Sequence, residues 1–238
     1  MDKTNKIFLT IIIFCTLSVI GICTYAIMNH ENEVVSDAQK FKEEYEALNE
    51  TVIGEYVYRS LDISTDNPII YKTGKEVLDV LKNESAIVYF GFAACPWCRS
   101  ILPTLLEVAE DEEVETIYYV DIQNIRDEYK FTGSIIPEKT KEGTIAYQEI
   151  IEFFGKNLDK YYVSDEKGNR YDTGTTRLYA PTVISVKNGE IKKIQVNNVE
   201  SYTNPFVEET KEQKEELKKI YQELFNSIED GVCTDEGC

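Results

Sequence analysis

One stretch limits what this chain can fold into more than any other: residues 87–108, IVYFGFAACPWCRSILPTLLEV. The run AIVYFGF is apolar throughout and only a few residues long, as expected of a strand buried on both faces. Within a few residues it hands over to CRSILPTLLEVAED, whose apolar residues recur at helical spacing. A strand feeding directly into a helix is the building unit of a layered α/β sheet. At the junction stand two thiols, Cys95 and Cys98, with two residues between them, and the helix carries Pro103.

The flanking sequence continues the alternation. EYVYRSLDI reads as a strand, and GKEVLDVLKN as a helix with Val77, Leu78 and Leu81 on one face. TIYYVDI reads as a strand. APTVISVKNGEIKKIQV reads as two strands joined at Asn188-Gly189, a strong hairpin signal. PFVEETKEQKEELKKIYQELFNSI gives a final helix. The fold class expected is α/β: a mixed sheet flanked by helices, ending in an antiparallel hairpin. Residues 122–177, with a helix over TIAYQEIIEFFGKNL and a turn at Lys167-Gly168-Asn169, read as an insertion before the last hairpin. The acidic stretch 29–50, which includes DAQKFKEEYEALNE, reads either as a short helical stalk or as a first helix on the domain edge. The domain proper is expected over 51–228, followed by an acidic, flexible tail over 229–238.

Residues 7–28 carry no charge. A helix of that length spans about 33 Å, enough for a hydrocarbon core of roughly 30 Å. Lys3 and Lys6 precede the run, and Glu31, Glu33 and Asp37 follow it. The positive-inside rule then leaves residues 1–6 in the cytoplasm and places the domain outside, in the cell membrane as a single-pass protein. A cleaved signal peptide is the alternative, but its apolar region should be shorter and end in an A-x-A-like site. The remaining composition excludes other classes. With 25 basic and 43 acidic residues the net charge is −18, which argues against nucleic acid as a partner. The one histidine, His30, adjoins the membrane run, so the domain has no imidazole for a Ser/His/Asp or Cys/His site.

Six cysteines fall into three pairs: Cys15 and Cys23 in the apolar run, Cys95 and Cys98 at the strand–helix junction, and Cys233 and Cys238 in the tail. The middle pair carries the chemistry. A helix N-terminus stabilises a thiolate, the nucleophile of disulfide exchange. Cys95 is expected at the exposed start of the helix as the attacking thiol, and Cys98, more buried, as the resolving one. Pro96 suits the first helical position. Arg99 adds positive charge near the thiols, and Trp97 offers a flat apolar face. Cys233 and Cys238 read as a small loop disulfide or as a mobile second dithiol. Joined to Cys95 and Cys98 they would also make four zinc ligands, but their spacing is wider than most zinc knuckles, and no metal or cofactor is expected.

The segment AACPWCRSILPTLLEVAED resembles the active-site segment of thioredoxins, with the dithiol, the basic residue after it and the helix proline at the family spacing. APTVISVKNGEI resembles the thioredoxin segment in which a cis-proline faces the dithiol. The resemblance covers roughly residues 56–228, apart from the insertion, and implies a thioredoxin-like sheet in which Pro103 kinks the active-site helix and Pro181 is the cis-proline. The backbone of Ala180 would then pair with an extended substrate, a form of strand addition. One departure stands out: where thioredoxins carry a buried carboxylate, six residues before the first cysteine, this chain has Tyr89. With its N-terminal anchor and C-P-W-C dithiol, the chain is similar to membrane-tethered thioredoxin-like proteins of Gram-positive bacteria, some labelled bacteriocin transport accessory proteins. The function implied is an extracytoplasmic thiol–disulfide oxidoreductase that meets protein thiols and disulfides, with a membrane electron donor as a candidate partner. The alternative is a secretion or folding accessory that binds peptides in the proline groove without redox turnover.

Overall fold

A computed structural model describes residues 13–14, 16–21 and 35–228 of the chain. The chain divides into two units, Met1–Ser36 and Asp37–Cys238. In the first, the described residues 13–14 and 16–21 are helical. Among the described residues no helix is long and apolar enough to cross a membrane. Most of the expected anchor over 7–28, together with Cys15, Cys23, Cys233 and Cys238, lies outside the described residues.

The second unit is a mixed α/β structure. Its element order is α1 (Asp37–Glu46), β1 (Val52–Ile53), β2 (Tyr56–Val57), β3 (Ile69–Tyr71), α2 (Gly74–Asn83), β4 (Ala86–Gly91), α3 (Pro96–Asp111), β5 (Ile117–Asp121), β6 (Glu128–Lys130), β7 (Glu138–Lys141), α4 (Ile145–Phe154), β8 (Asp159–Ser164), β9 (Arg170–Arg177), β10 (Thr182–Lys187), β11 (Glu190–Val196) and α5 (Lys211–Asn226). Five strands form the central sheet in the order β11-β10-β4-β5-β3. β4 runs parallel to β5, and β5 to β3; β10 is antiparallel to both β4 and β11. The β10–β11 turn sits at Asn188 and Gly189, both at positive φ, 53° and 79°, as a two-residue hairpin turn of this kind requires.

The middle strand shows why the apolar run is continuous. Ile87 and Tyr89 of β4 enter the core on one face, with α1, α3 and α5; Ala86, Val88 and Phe90 enter the core on the other, with α2 and α4. Every residue of β4 is buried, so period-two alternation leaves no polar position. The helices start where the sequence supplies caps. Thr73 and Glu76 form a reciprocal capping box on α2, Thr210 and Gln213 form another on α5, and the Thr144 hydroxyl caps α4.

Three expectations are revised. The strand expected over EYVYRSLDI is reduced to the two residues of β2, and the third parallel strand of the main sheet is Ile69–Tyr71. Residues 58–63 belong to no strand and find their backbone partners outside a ladder. Asn49 accepts from the Leu61 N–H at 2.9 Å and donates to its carbonyl at 2.8 Å, the Ile63 N–H donates to Glu46 at 2.7 Å, and the Tyr58 N–H donates to the Thr51 carbonyl at 3.0 Å. Side chains at the end of α1 thus replace a neighbouring strand. Second, of the two readings of 29–50, α1 is the first helix of the domain and not a stalk: Phe41 and Tyr45 are fully buried against the sheet, and Asp37 accepts from the Tyr71 N–H of β3 at 2.9 Å. Third, the helix of the expected insertion is part of the central architecture. Tyr147, Ile150 and Phe154 of α4 share a core with Val77 and Leu81 of α2 and with Phe90 and Val120 of the sheet. Within 122–177 the hairpins β6–β7 and β8–β9 are separate two-stranded sheets, as β1–β2 is earlier in the chain.

Candidate active site

The dithiol lies at the C-terminal end of β4, where α3 begins. Cys95 is the N-cap of α3, in extended backbone conformation, and Pro96 takes the first helical position. The Cys95 sulfur accepts a hydrogen bond from the Cys98 N–H at 3.2 Å, so a thiol does the work usually done by a serine or aspartate cap. The segment just before it is held from two sides. The Cys95 N–H donates to the Phe92 carbonyl at 3.1 Å, and the Tyr58 hydroxyl donates to the Ala94 carbonyl at 2.7 Å. α3 continues through Pro103, which cannot supply the bond that would close on the Arg99 carbonyl.

Both thiols are free. Cys98 is fully buried; Cys95, expected to be exposed, is itself only 6% exposed. Its sulfur lies 3.4 Å from the Ala180 carbonyl oxygen, toward which the protonated thiol donates. The Ala180–Pro181 peptide is cis, as the resemblance implies. The loop before β10 therefore lies over the sulfur, and Ala180 and Pro96 are half-buried around it. Trp97 is also half-buried, with its ring edge-on to Tyr202 at 5.8 Å between centroids.

The two thiols are pushed in opposite directions. The hydrogen bond from the Cys98 thiol holds Cys95 below the ordinary thiol value; the backbone N–H groups of Cys98 and Trp97 and the charge of Arg126 act the same way, against burial. Burial, together with the hydrogen bond to Cys95 and its charge, pushes Cys98 well up. In the reduced state the arrangement therefore favours a Cys95 thiolate facing a protonated Cys98.

Arg99 does not sit where the sequence suggested. It is 1% exposed, and its guanidinium donates to the Tyr45 carbonyl at 2.6 Å, to the Asn49 side-chain oxygen at 2.7 Å and to the Arg59 carbonyl at 2.7 Å. These bonds tie α3 to the end of α1 and to the irregular segment after it. Arg126 adds the smallest of the contributions that favour the Cys95 thiolate; its guanidinium lies over the Phe92 ring at 4.6 Å, and its buried Nε has no partner. Arg126 follows β5, beyond the C-terminal end of a parallel strand, the edge of an α/β sheet where ligand sites gather. That rule was the one available signal for it, since nothing in QNIRDEY marks the residue locally.

Behind Cys98 the core is built from tyrosines. Tyr45, Tyr89, Tyr119 and Tyr221 are all fully buried there. The Tyr45 and Tyr89 hydroxyls lie 3.0 Å apart, and Tyr45 reaches Tyr119 at 3.4 Å. The position flagged in the sequence for lacking a carboxylate is part of this cluster. Among the described residues no group of histidine, cysteine, aspartate or glutamate side chains is placed to hold a metal ion. The tail thiols that would complete a four-cysteine site lie outside the described residues.

No protein-family model matches the chain, and no curated protein is significantly similar to it.

Proposed function

We propose that this protein is a thioredoxin-like thiol–disulfide oxidoreductase, tethered by residues 7–28 with its domain on the extracytoplasmic face, acting on extended protein substrates. The observation that carries the reading is the Cys95 sulfur itself: it caps α3, is held toward the thiolate, and lies 3.4 Å from the carbonyl of Ala180, on the cis peptide. The mixed five-stranded sheet with helices on both faces and a terminal antiparallel hairpin accords with the thioredoxin-like sheet that the resemblance implies and supports the reading further.

In the proposed cycle the Cys95 thiolate attacks one sulfur of a substrate disulfide. A Cys95–substrate bond forms, and the other substrate sulfur leaves as thiolate. Cys98 then attacks the Cys95 sulfur, closing the Cys95–Cys98 disulfide and expelling the second substrate thiolate. Run backwards, the same steps oxidise a substrate dithiol. Cys95 is only 6% exposed, so a substrate has to reach it from the side the Ala180 loop leaves open, and backbone pairing with Ala180 would place its sulfur in line. Arg126 adds a smaller cationic contribution at the attacking sulfur, after the hydrogen bonds to it.

The test is a trap. In the full-length protein in detergent, Cys98→Ser should accumulate mixed disulfides with protein substrates through Cys95, resolved by reductant. Cys95→Ser should accumulate none. Trapping by Cys95→Ser would invert the roles. No adduct with either variant, but retained peptide binding, would favour a binding accessory without redox turnover.

A further inference from the structure

The chain has five arginines, and three of them are accounted for by their surroundings. Arg59 pairs with Glu209 at 3.1 Å, Arg99 donates to three oxygens at 2.6–2.7 Å, and Arg170 is exposed, with its guanidinium over the Tyr162 ring at 4.4 Å. Arg126 and Arg177 differ. Arg177 is buried and Arg126 half-buried. In a chain with 43 acidic residues, neither makes an ion pair among the described residues. Arg177 makes one long hydrogen bond, 3.4 Å to the Asp127 carbonyl. The Nε of Arg126 is buried with no partner, and so is Oδ1 of Asp127, the carboxylate next to it in the chain. A cation withdrawn from water without a counter-ion is costly, and Arg99 avoids that cost with acceptors that these two lack.

Both stand at the dithiol edge of the sheet. β4 and β5 end side by side, with Gly91 opposite Asp121. Beyond them the Ile122 N–H donates to the Gly91 carbonyl at 3.1 Å, and the Arg126 N–H to the Ile122 carbonyl at 3.2 Å. The Arg126 guanidinium lies over the Phe92 ring at 4.6 Å, and the Phe92 carbonyl takes the Cys95 N–H at 3.1 Å. Arg177 ends β9, three residues before Ala180, whose carbonyl oxygen is 3.4 Å from the Cys95 sulfur. Its guanidinium lies over the Tyr161 ring at 3.9 Å, and its bond to the Asp127 carbonyl sets it against the residue next to Arg126. The two cations thus share one stretch of backbone. Burial, and after it the charge of Arg177, pulls Arg126 below the ordinary arginine value. A guanidinium over a ring uses its face and keeps its N–H edge for acceptors.

We propose that Arg126 and Arg177 form a carboxylate-binding subsite at the dithiol edge, and that the substrates are polypeptides with an aspartate or glutamate within a few residues of the reacting cysteine; this rests on the exchange reading above. The planar fork of a guanidinium matches a carboxylate in paired hydrogen bonds. A substrate backbone paired with Ala180 runs beside the segment that begins at Arg177, so the residues flanking its cysteine pass the two arginines. The carboxylate supplies the counter-ion that this chain withholds. Elsewhere the surface, at a net charge of −18, repels the same acidic residue, so the subsite also fixes where along the substrate that residue has to stand. No bond is made or broken at either arginine. They hold the peptide while Cys95 attacks.

The experiment uses the full-length protein in detergent, reduced, with Cys15, Cys23, Cys233 and Cys238 replaced by serine. The probes are short peptides blocked at both ends, each with one cysteine held as a pyridyl disulfide. The Cys95 thiolate attacks the peptide sulfur, and the pyridyl sulfur leaves and takes a proton to give neutral, absorbing thiopyridone. Glutamate is placed in turn at each position within about three residues of the cysteine, and each peptide is matched by one with glutamine there. At the best position glutamate should react about tenfold faster than glutamine, the value of hydrogen bonds to a charged group. Both peptides meet the same thiolate, so the ratio does not respond to changes in the Cys95 thiolate fraction. The ratio should fall in Arg126→Gln and in Arg177→Gln, and should vanish when both are replaced. Arg170→Gln, which removes the same charge from an exposed place, should keep the parent ratio. If Arg177→Gln does not fold, Arg126→Gln decides alone: a reduced ratio supports the subsite and the parent ratio refutes it. Equal rates for glutamate and glutamine at every position in the parent overturn the inference, as does equal loss of the preference in Arg170→Gln. Those results leave exchange itself standing. No thiopyridone from any peptide would instead defeat the exchange reading, and the subsite with it.

Discussion

Replacing Arg99 separates the role the sequence suggests for it from the one its contacts describe. The side chain is buried and has no carboxylate partner, so its cost in the fold can be followed acceptor by acceptor. In Arg99→Met the Tyr45 carbonyl keeps a bond from the Leu48 N–H at 3.3 Å, and the Asn49 oxygen keeps one from the Leu61 N–H at 2.9 Å. The half-buried Arg59 carbonyl loses its guanidinium donor. Leaving an acceptor orphaned there costs about 1–2 kcal/mol. The three bonds the cation makes are set against the several kcal/mol needed to take a guanidinium out of water, and these largely cancel. Methionine also keeps most of the apolar stem buried. The expected loss is therefore about 1–2 kcal/mol, or a fall in Tm of about 2–8 °C for a domain of this size. Arg99→Lys should be worse than Arg99→Met, because an ammonium stays charged and buried but cannot span acceptors on three separate segments. Thermal or urea unfolding of the full-length protein in detergent, followed by tyrosine fluorescence, reads the order. Arg99→Met should leave the pH profile of Cys95 alkylation where it was. Lysine milder than methionine, or a loss within about 0.5 kcal/mol coupled to a shifted Cys95 profile, would refute this reading and return Arg99 to the thiols.

Cys95 alkylation by iodoacetamide should follow its thiolate, with a midpoint below the ordinary thiol value of about 8.5 because the folded environment favours the deprotonated form. The midpoint should rise in Cys98→Ala, which removes the leading hydrogen bond, and in Arg126→Gln, which removes the cation; an unmoved midpoint in both would disprove the assigned causes. Tyr221→Phe deletes a buried hydroxyl without a partner, so it should stabilise by about 1 kcal/mol, seen as a rise in urea midpoint. Thr73→Ala breaks the capping box of α2 and should cost about 1 kcal/mol; no change in unfolding midpoint would mean that the box is not formed in solution.

Much of the layered core was legible from local pattern. The strand β4, the helix α3, the hairpin at Asn188-Gly189 and the helix α4 each carry a signal confined to a few consecutive residues: an apolar run, a 3.6-residue period or a turn that demands positive φ. The placement of Cys95 at a helix start followed from the same kind of signal. Where the reading failed, the partners were distant in sequence. Residues 58–63 have strand-like side chains, but their backbone is paired by Asn49 and Glu46, and no local pattern reveals that. That α1 is a first helix and not a stalk is left open by the sequence for the same reason: eight of its ten residues are not buried, and what docks it, Phe41, Tyr45 and the bonds of Asp37 and Glu46 to β3 and residue 63, is distant in sequence.

The sequence by itself determined that two thiols stand where a buried strand meets a helix, because chain connectivity and the period of apolar residues are local properties. Only the tertiary structure decided what surrounds those thiols. Burial and charge act through space, so the loop at Ala180, 85 residues away, covers Cys95, and Arg126, 31 residues on, adds to the field that favours its thiolate, while the adjacent Arg99 bonds to residues 45, 49 and 59. Tyrosines from four separate elements close over Cys98 for the same reason: a sheet with helices on both faces brings together hydroxyls that lie far apart along the chain.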